Sequence, residues 1–217
     1  MNAVVTGASG TWGGAVALDL LRRGYDVTAA GRTDVPALRA WAERVGRKWA
    51  FERLDLADPA PAEIANVPDV FVHCAVSIDG DREALARANY LAAAALIGAV
   101  VNAMREKGTG RIGVFVAQNA RLGLAGLGDF SAAQGALWTW CEALQEELAR
   151  DGARVTLTRV IPPRTSSETQ RFVTARTGRS AKLRQPDPGP LVRAILAGRR
   201  HAGRRPLAAA AAMAIRG

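Results

Sequence analysis

The stretch Val4-Val5-Thr6-Gly7-Ala8-Ser9-Gly10-Thr11-Trp12-Gly13-Gly14 constrains this chain more than any other. A β-branched apolar run ends at Thr6, glycines follow at 7, 10 and 13, and a helical apolar pattern begins at Gly13, so the segment reads as strand, tight turn and helix. Glycine at these places lets the chain turn sharply, brings backbone N–H groups against a pyrophosphate and lets the helix lie close to the sheet. The helix N-terminus adds positive potential for phosphates. In that context the triplet predicts a dinucleotide site lined by Thr6, Gly7, Ser9, Gly10, Thr11, Trp12 and Gly13.

The rest of the chain keeps the same rhythm. Strands are predicted at 2–6, 26–30, 48–54, 69–74, 111–116 and 154–160, and helices at 13–23, 35–45, 82–107 and 131–150. Alternating strands and helices with right-handed crossovers make an α/β fold, a doubly wound parallel sheet in a single domain. A core is expected over 1–163, with 164–217 forming a substrate loop or lid and a basic C-terminal segment of the same domain. Residues 164 to about 185 are polar and longer than an ordinary connection, which marks them as functional. Leu191–Leu196 reads as helix, and Ala208–Ile215 as either a helix or a last strand.

Cofactor choice is written at the end of the second strand, where a carboxylate would bind the ribose of NAD. Gly31 stands there and Arg32 follows, leaving room and charge for a 2′-phosphate. NADP(H) is the expected cofactor, and Asp34 nearby keeps NAD open.

These residues together resemble the short-chain dehydrogenase/reductase family over about residues 2–165. Thr6-Gly7 opens a glycine motif whose 7, 10, 13 spacing is that of extended or atypical members. The resemblance implies a Rossmann fold. It implies contact with adenine at Asp55-Leu56 and with the cofactor at Cys74, Ala75 and Val76, which fall on the family's Asn-Asn-Ala-Gly segment. It further makes Asn89 the asparagine supporting the proton relay, and Pro162 and Thr165 the residues against the nicotinamide, with Pro163 replacing a glycine. It also implies a homodimer through the two long helices.

The family's working groups are missing. Its Tyr-x-x-x-Lys pair falls on Phe130 and Gln134, and its serine, thirteen residues upstream, on Ala117. Tyr25 and Tyr90 are followed four residues later by alanines, so no other register supplies the pair. Phenylalanine has no titratable proton and the glutamine amide no charge. Two readings follow. Either other groups do the work, with Asn89, Gln118, Asn119, Asp129, Gln134 and His73 as candidates for a redox reaction on a small carbonyl substrate or for dehydration, isomerisation or cyclisation, or the chain is a non-catalytic nucleotide- or partner-binding protein. Gln134 retains the means to hydrogen-bond a nicotinamide ribose. His73 also reads as a structural imidazole, and Asp129 as a helix-capping acid.

Charge is uneven: residues 1–163 carry 17 basic and 18 acidic side chains, and residues 164–217 carry 12 and 2. The densest basic cluster, Arg199, Arg200, Arg204 and Arg205, fits a solvated surface, an acidic carrier protein or an anionic small molecule. Without interleaved aromatics or a recognition motif it argues against nucleic acid. Cys74 and Cys141 lack the spacing of a disulfide framework or a zinc site. No metal site is expected. The Ala-rich stretch between Arg87 and Arg105 reads as a buried helix and not a membrane span. The residues before the motif lack a basic leader, so a cytoplasmic setting is the expectation.

Overall fold

The computed structural model describes residues 1–58, 66–121, 123–152, 154–163, 171, 174–175 and 185–203. In chain order these form β1 (Asn2–Thr6), α1 (Thr11–Arg22), β2 (Asp26–Gly31), α2 (Pro36–Arg44), β3 (Trp49–Arg53), β4 (Val70–His73) and α3 (Arg82–Ala86). A π-helical turn (Arg87–Leu91), α4 (Ala92–Lys107), β5 (Thr109–Phe115), α5 (Gly128–Arg150), β6 (Arg154–Ile161), α6 (Gly189–Leu196) and β7 (His201–Gly203) complete the fold. All strand pairs are parallel, in the order β3-β2-β1-β4-β5-β6-β7. The doubly wound expectation is met. Between β1 and β4 the order reverses, which opens a crevice above the carboxyl ends of the strands.

Each sheet face carries one half of the core. Side chains of α4 and α5, among them Leu96, Ile97, Val100, Leu137, Trp138 and Leu144, cover β4, β5 and β6 on one side. On the other, Val16, Leu20 and Leu21 of α1 lie beneath β1 and β2 and meet Leu191, Val192 and Ile195 of α6, which packs against β5, β6 and β7. The strands are apolar in succession because both faces are covered. The helical run from Arg82 to Lys107 is long and apolar enough, by length and composition, to cross a membrane, yet its residues Ala93, Ile97, Val101 and Met104 pack against the sheet.

Two differences from the sequence reading are local. α5 begins at Gly128, which puts Asp129 inside its first turn. β7, only His-Ala-Gly, is an addition to the predicted strands: it pairs with β6 from Arg159 to Ile161, so the segment after residue 185 closes the sheet edge. Residues 208–215 lie outside the described residues, as do Arg204 and Arg205.

Candidate functional site

A cavity of about 1260 Å³ occupies the crevice. Its near wall is the glycine turn. Gly7 has φ +68°, and a Cβ there would stand 2.7 Å from the Ala75 Cα. At Gly13 a Cβ would stand 2.1 Å from the Gly7 carbonyl oxygen. Any larger residue at either position would push the turn off β4 or off α1. The N-cap of α1, Gly10, brings no capping side chain, and the first turn holds no acid. The positive end of the helix is therefore left for an outside anion.

Gly7, Ser9, Gly10, Thr11, Trp12 and Gly13 all line the cavity, as do Asp55, Leu56, Cys74, Ala75, Val76 and Pro162. Thr6 does not. Its side chain is wholly buried and its hydroxyl accepts the Cys74 and Ala75 N–H groups at 3.2 Å. With both acceptor sides taken, the hydroxyl hydrogen points to His73 Nδ1 at 3.0 Å, so that nitrogen accepts. Thr6 fixes the end of β4 rather than touching a ligand. Thr165 lies outside the described residues.

At the end of β2, Gly31, Arg32 and Thr33 line the cavity, but Asp34 turns away. Its carboxylate accepts from Trp49 Nε1 at 3.0 Å and from Val35 N at 2.7 Å, and it pairs with Arg39. The Trp49 hydrogen bond leads in holding its pKa below the usual carboxylate range. Asp55 accepts the Ala57 N–H at 3.0 Å, which sets the turn that brings Asp55 and Leu56 to the opening.

The far wall carries Ala117, Phe130 and Gln134. Gln134 Oε1 accepts the Ala117 N–H at 2.8 Å, so the glutamine binds α5 to the end of β5. Gln118 donates to the Pro162 carbonyl at 2.8 Å, and Asn119 Nδ2 to Ser131 Oγ at 2.6 Å; both line the cavity. Among the described residues the lining includes no tyrosine, lysine or histidine.

The other candidates stand apart from it. Asn89, 1% exposed in the π-helical turn, accepts from Ser77 N and donates to Ser77 O, both at 2.8 Å; it shapes the loop after β4. Asp129 pairs with Arg82 at 2.8 Å and lines a separate hollow of about 100 Å³. His73 is 1% exposed, and burial depresses its pKa to about 4. Burial likewise pushes the Cys74 thiol up, which removes it as a ready nucleophile. Among the described residues no cluster of His, Cys, Asp and Glu could hold a metal.

Residues 3–117 match the model of the NAD dependent epimerase/dehydratase family. The chain belongs to that family. Its fold is that of the short-chain dehydrogenases/reductases. It superposes on a short-chain dehydrogenase from Sphingobium yanoikuyae, solved with NADPH, at a TM-score of 0.79 with 20% identity over 93% of this chain and 86% of the other. A single-residue variant of actinorhodin polyketide ketoreductase, solved with NADPH, matches at 0.70 with 20% identity over 99% and 88%. A 3-oxoacyl (acyl-carrier-protein) reductase from Agrobacterium tumefaciens with NADP bound matches at 0.70 with 18% identity over 80% and 74%. No curated protein matches.

Sequence reading did not single out Ile78, Asp79 or Leu124, which also line this family member's cavity. They sit in connections without motif or periodicity. Arg171 lines it as well; the sequence marked its segment as a lid without distinguishing this residue.

Proposed function

We propose that this chain is an NADP(H)-binding enzyme of the reductase fold whose site keeps the dinucleotide cradle and lacks the usual proton-delivery groups. It acts on a small carbonyl-containing molecule by non-standard redox chemistry or by proton transfer such as dehydration, isomerisation or cyclisation. The observation that carries this reading is the far wall, where Ala117, Phe130 and Gln134 face the cavity together. The uncapped start of α1 and the glycine turn would hold the pyrophosphate. Arg32 would meet the 2′-phosphate, and the inward space at Gly31, whose Cβ would approach nothing closer than 3.9 Å, leaves room for it. With Asp34 committed to Trp49 and Arg39, the case for NAD weakens. Asp55 and Leu56 would border the adenine, and Gln134 would offer its amide nitrogen to the nicotinamide ribose. When bound, the nicotinamide supplies or accepts hydride.

The protein's part is positional. Asn89 holds the loop at Ser77, while Gln118, Asn119 and Gln134 brace the floor between β5, α5 and β6. Because each of these amides already spends one of its polar atoms on the protein, a non-catalytic nucleotide-binding role is the second reading. A homodimer through α4 and α5 is part of the proposal.

The test is titration followed by repair. NADPH should bind more tightly than NADH, with Arg32→Ala narrowing the gap. The wild type should not reduce ordinary ketones, and Ala117→Ser/Phe130→Tyr/Gln134→Lys should gain that activity. Equal affinity for the two nucleotides, or ordinary ketone reduction by the wild type, would refute the reading. Cofactor binding with no turnover of any carbonyl compound would favour the second one.

A further inference from the structure

Beyond the amides, the cavity's charged groups divide into two kinds. Its carboxylates are occupied within the protein: Asp79 accepts the Gly80 N–H at 3.1 Å, Asp81 accepts the Ala84 N–H at 2.8 Å as the cap of α3, and Glu83 pairs with Arg87 at 2.9 Å. Asp55 is spent on its own turn. Two guanidiniums in the lining, Arg32 and Arg171, are exposed and have no carboxylate partner among the described residues. Such a cavity favours anions at two points.

The points come from different parts of the chain: Arg32 directly follows β2, whereas Arg171 lies beyond the end of β6. With the proposed cofactor's 2′-phosphate met by Arg32 and its pyrophosphate by the glycine turn and the start of α1, Arg171 is left for a further anion. Between β5 and α5 the wall is apolar at Val116, Leu124 and Phe130, while Phe115 at the end of β5 faces the other side of the sheet, toward Trp12. Gln118, Asn119 and Gln134 each already hold a partner within the protein, and the amide nitrogen of Gln134 is the one assigned to the ribose.

We infer that Arg171 is a specificity-determining residue and that the substrate is an apolar molecule bearing an oxyanion, which the guanidinium grips while the body lies against Val116, Leu124 and Phe130. This rests on the proposed reading that the cavity holds a dinucleotide and a second molecule. A planar guanidinium suits an oxyanion because it donates two parallel N–H bonds, a geometry that ammonium lacks.

Two probes of one shape separate charge from size: 2-naphthoate and 2-naphthamide, titrated calorimetrically into the NADPH-loaded protein. Naphthoate is expected to bind tighter, and its advantage to shrink as salt is raised. Arg171→Gln should weaken naphthoate about tenfold or more and leave both naphthamide and NADPH unchanged, while Arg171→Lys should recover part of the loss. Equal affinity for the two probes, or no binding of naphthoate, overturns the inference. Loss of NADPH binding in Arg171→Gln also overturns it, since Arg171 would then belong to the cofactor. If wild type takes up no NADPH, the underlying reading fails, and the same pair titrated into the bare protein still decides whether Arg171 selects an oxyanion.

Discussion

A histidine can be buried cheaply only while neutral, and His73 shows how one hydroxyl enforces this. A proton on Nδ1 would meet the Thr6 hydroxyl hydrogen, and burial already holds the pKa at about 4. Because the unfolded chain titrates near 6.5, it takes up the proton first. The stability due to neutral His73 is full above about pH 6.5 and drains away as pH falls towards 4. It amounts to on the order of 3 kcal/mol. Chemical denaturation from pH 7 to pH 4 should show this component in the wild type and not in His73→Gln; parallel curves would contradict it. At the same scale, Asp34 shows why proximity in sequence misleads. It stands two residues after Arg32, but Trp49 and Arg39 draw its carboxylate away from the cavity.

The short strand β7 is held to its neighbours by side chains as well as by its own ladder. Arg159 of β6, 2% exposed, pairs with Glu142 of α5 at 3.0 Å. It also reaches His201 of β7 at 3.2 Å and lies 4.2 Å over the Trp138 ring. Arg200 pairs with Glu146, and Gln145 donates to the Arg200 carbonyl. Part of the basic cluster therefore binds α5 to the sheet edge, which narrows what it can offer a partner. Burial lowers the Arg159 pKa and Glu142 opposes the shift. Removing the carboxylate strands a buried cation, so Glu142→Gln should cost about 3 kcal/mol, whereas Arg159→Met should cost far less because charge and burial penalty disappear together. Urea unfolding would check the order, and the reverse order would mean that the pair itself holds β7.

Across the whole molecule, the layers leave the outer sides of α4 and α5 to solvent. Leu91, where the π-helical turn meets α4, is 56% exposed, unlike the buried Ala93, Ile97 and Met104 along the same run. The proposed dimer would cover that face. Sedimentation of the wild type should give twice the chain mass and Leu91→Glu the single mass, with the NADPH affinity retained; a monomeric wild type would remove the dimer from the proposal.

Much of this architecture was legible beforehand, because local rules wrote it. Alternating apolar runs identify β1 to β6 and the helices between them, and the glycines at 7 and 13 mark contacts that tolerate no Cβ, so the turn from β1 into α1 was legible in its glycines. The absence of Tyr-x-x-x-Lys was equally plain, since a missing functional group needs no coordinates to be seen. What depended on folding was which polar groups face the cavity and which face the protein. Thr6, Asn89 and Asp129 look alike to a sequence motif, but β4, Ser77 and Arg82 claim them. β7 has too few residues to carry a periodic signal, and Arg171 becomes a candidate only because it lines the same cavity as the glycine turn. Such partnerships join residues far apart in the chain, whereas periodicity and turn chemistry report only on near neighbours.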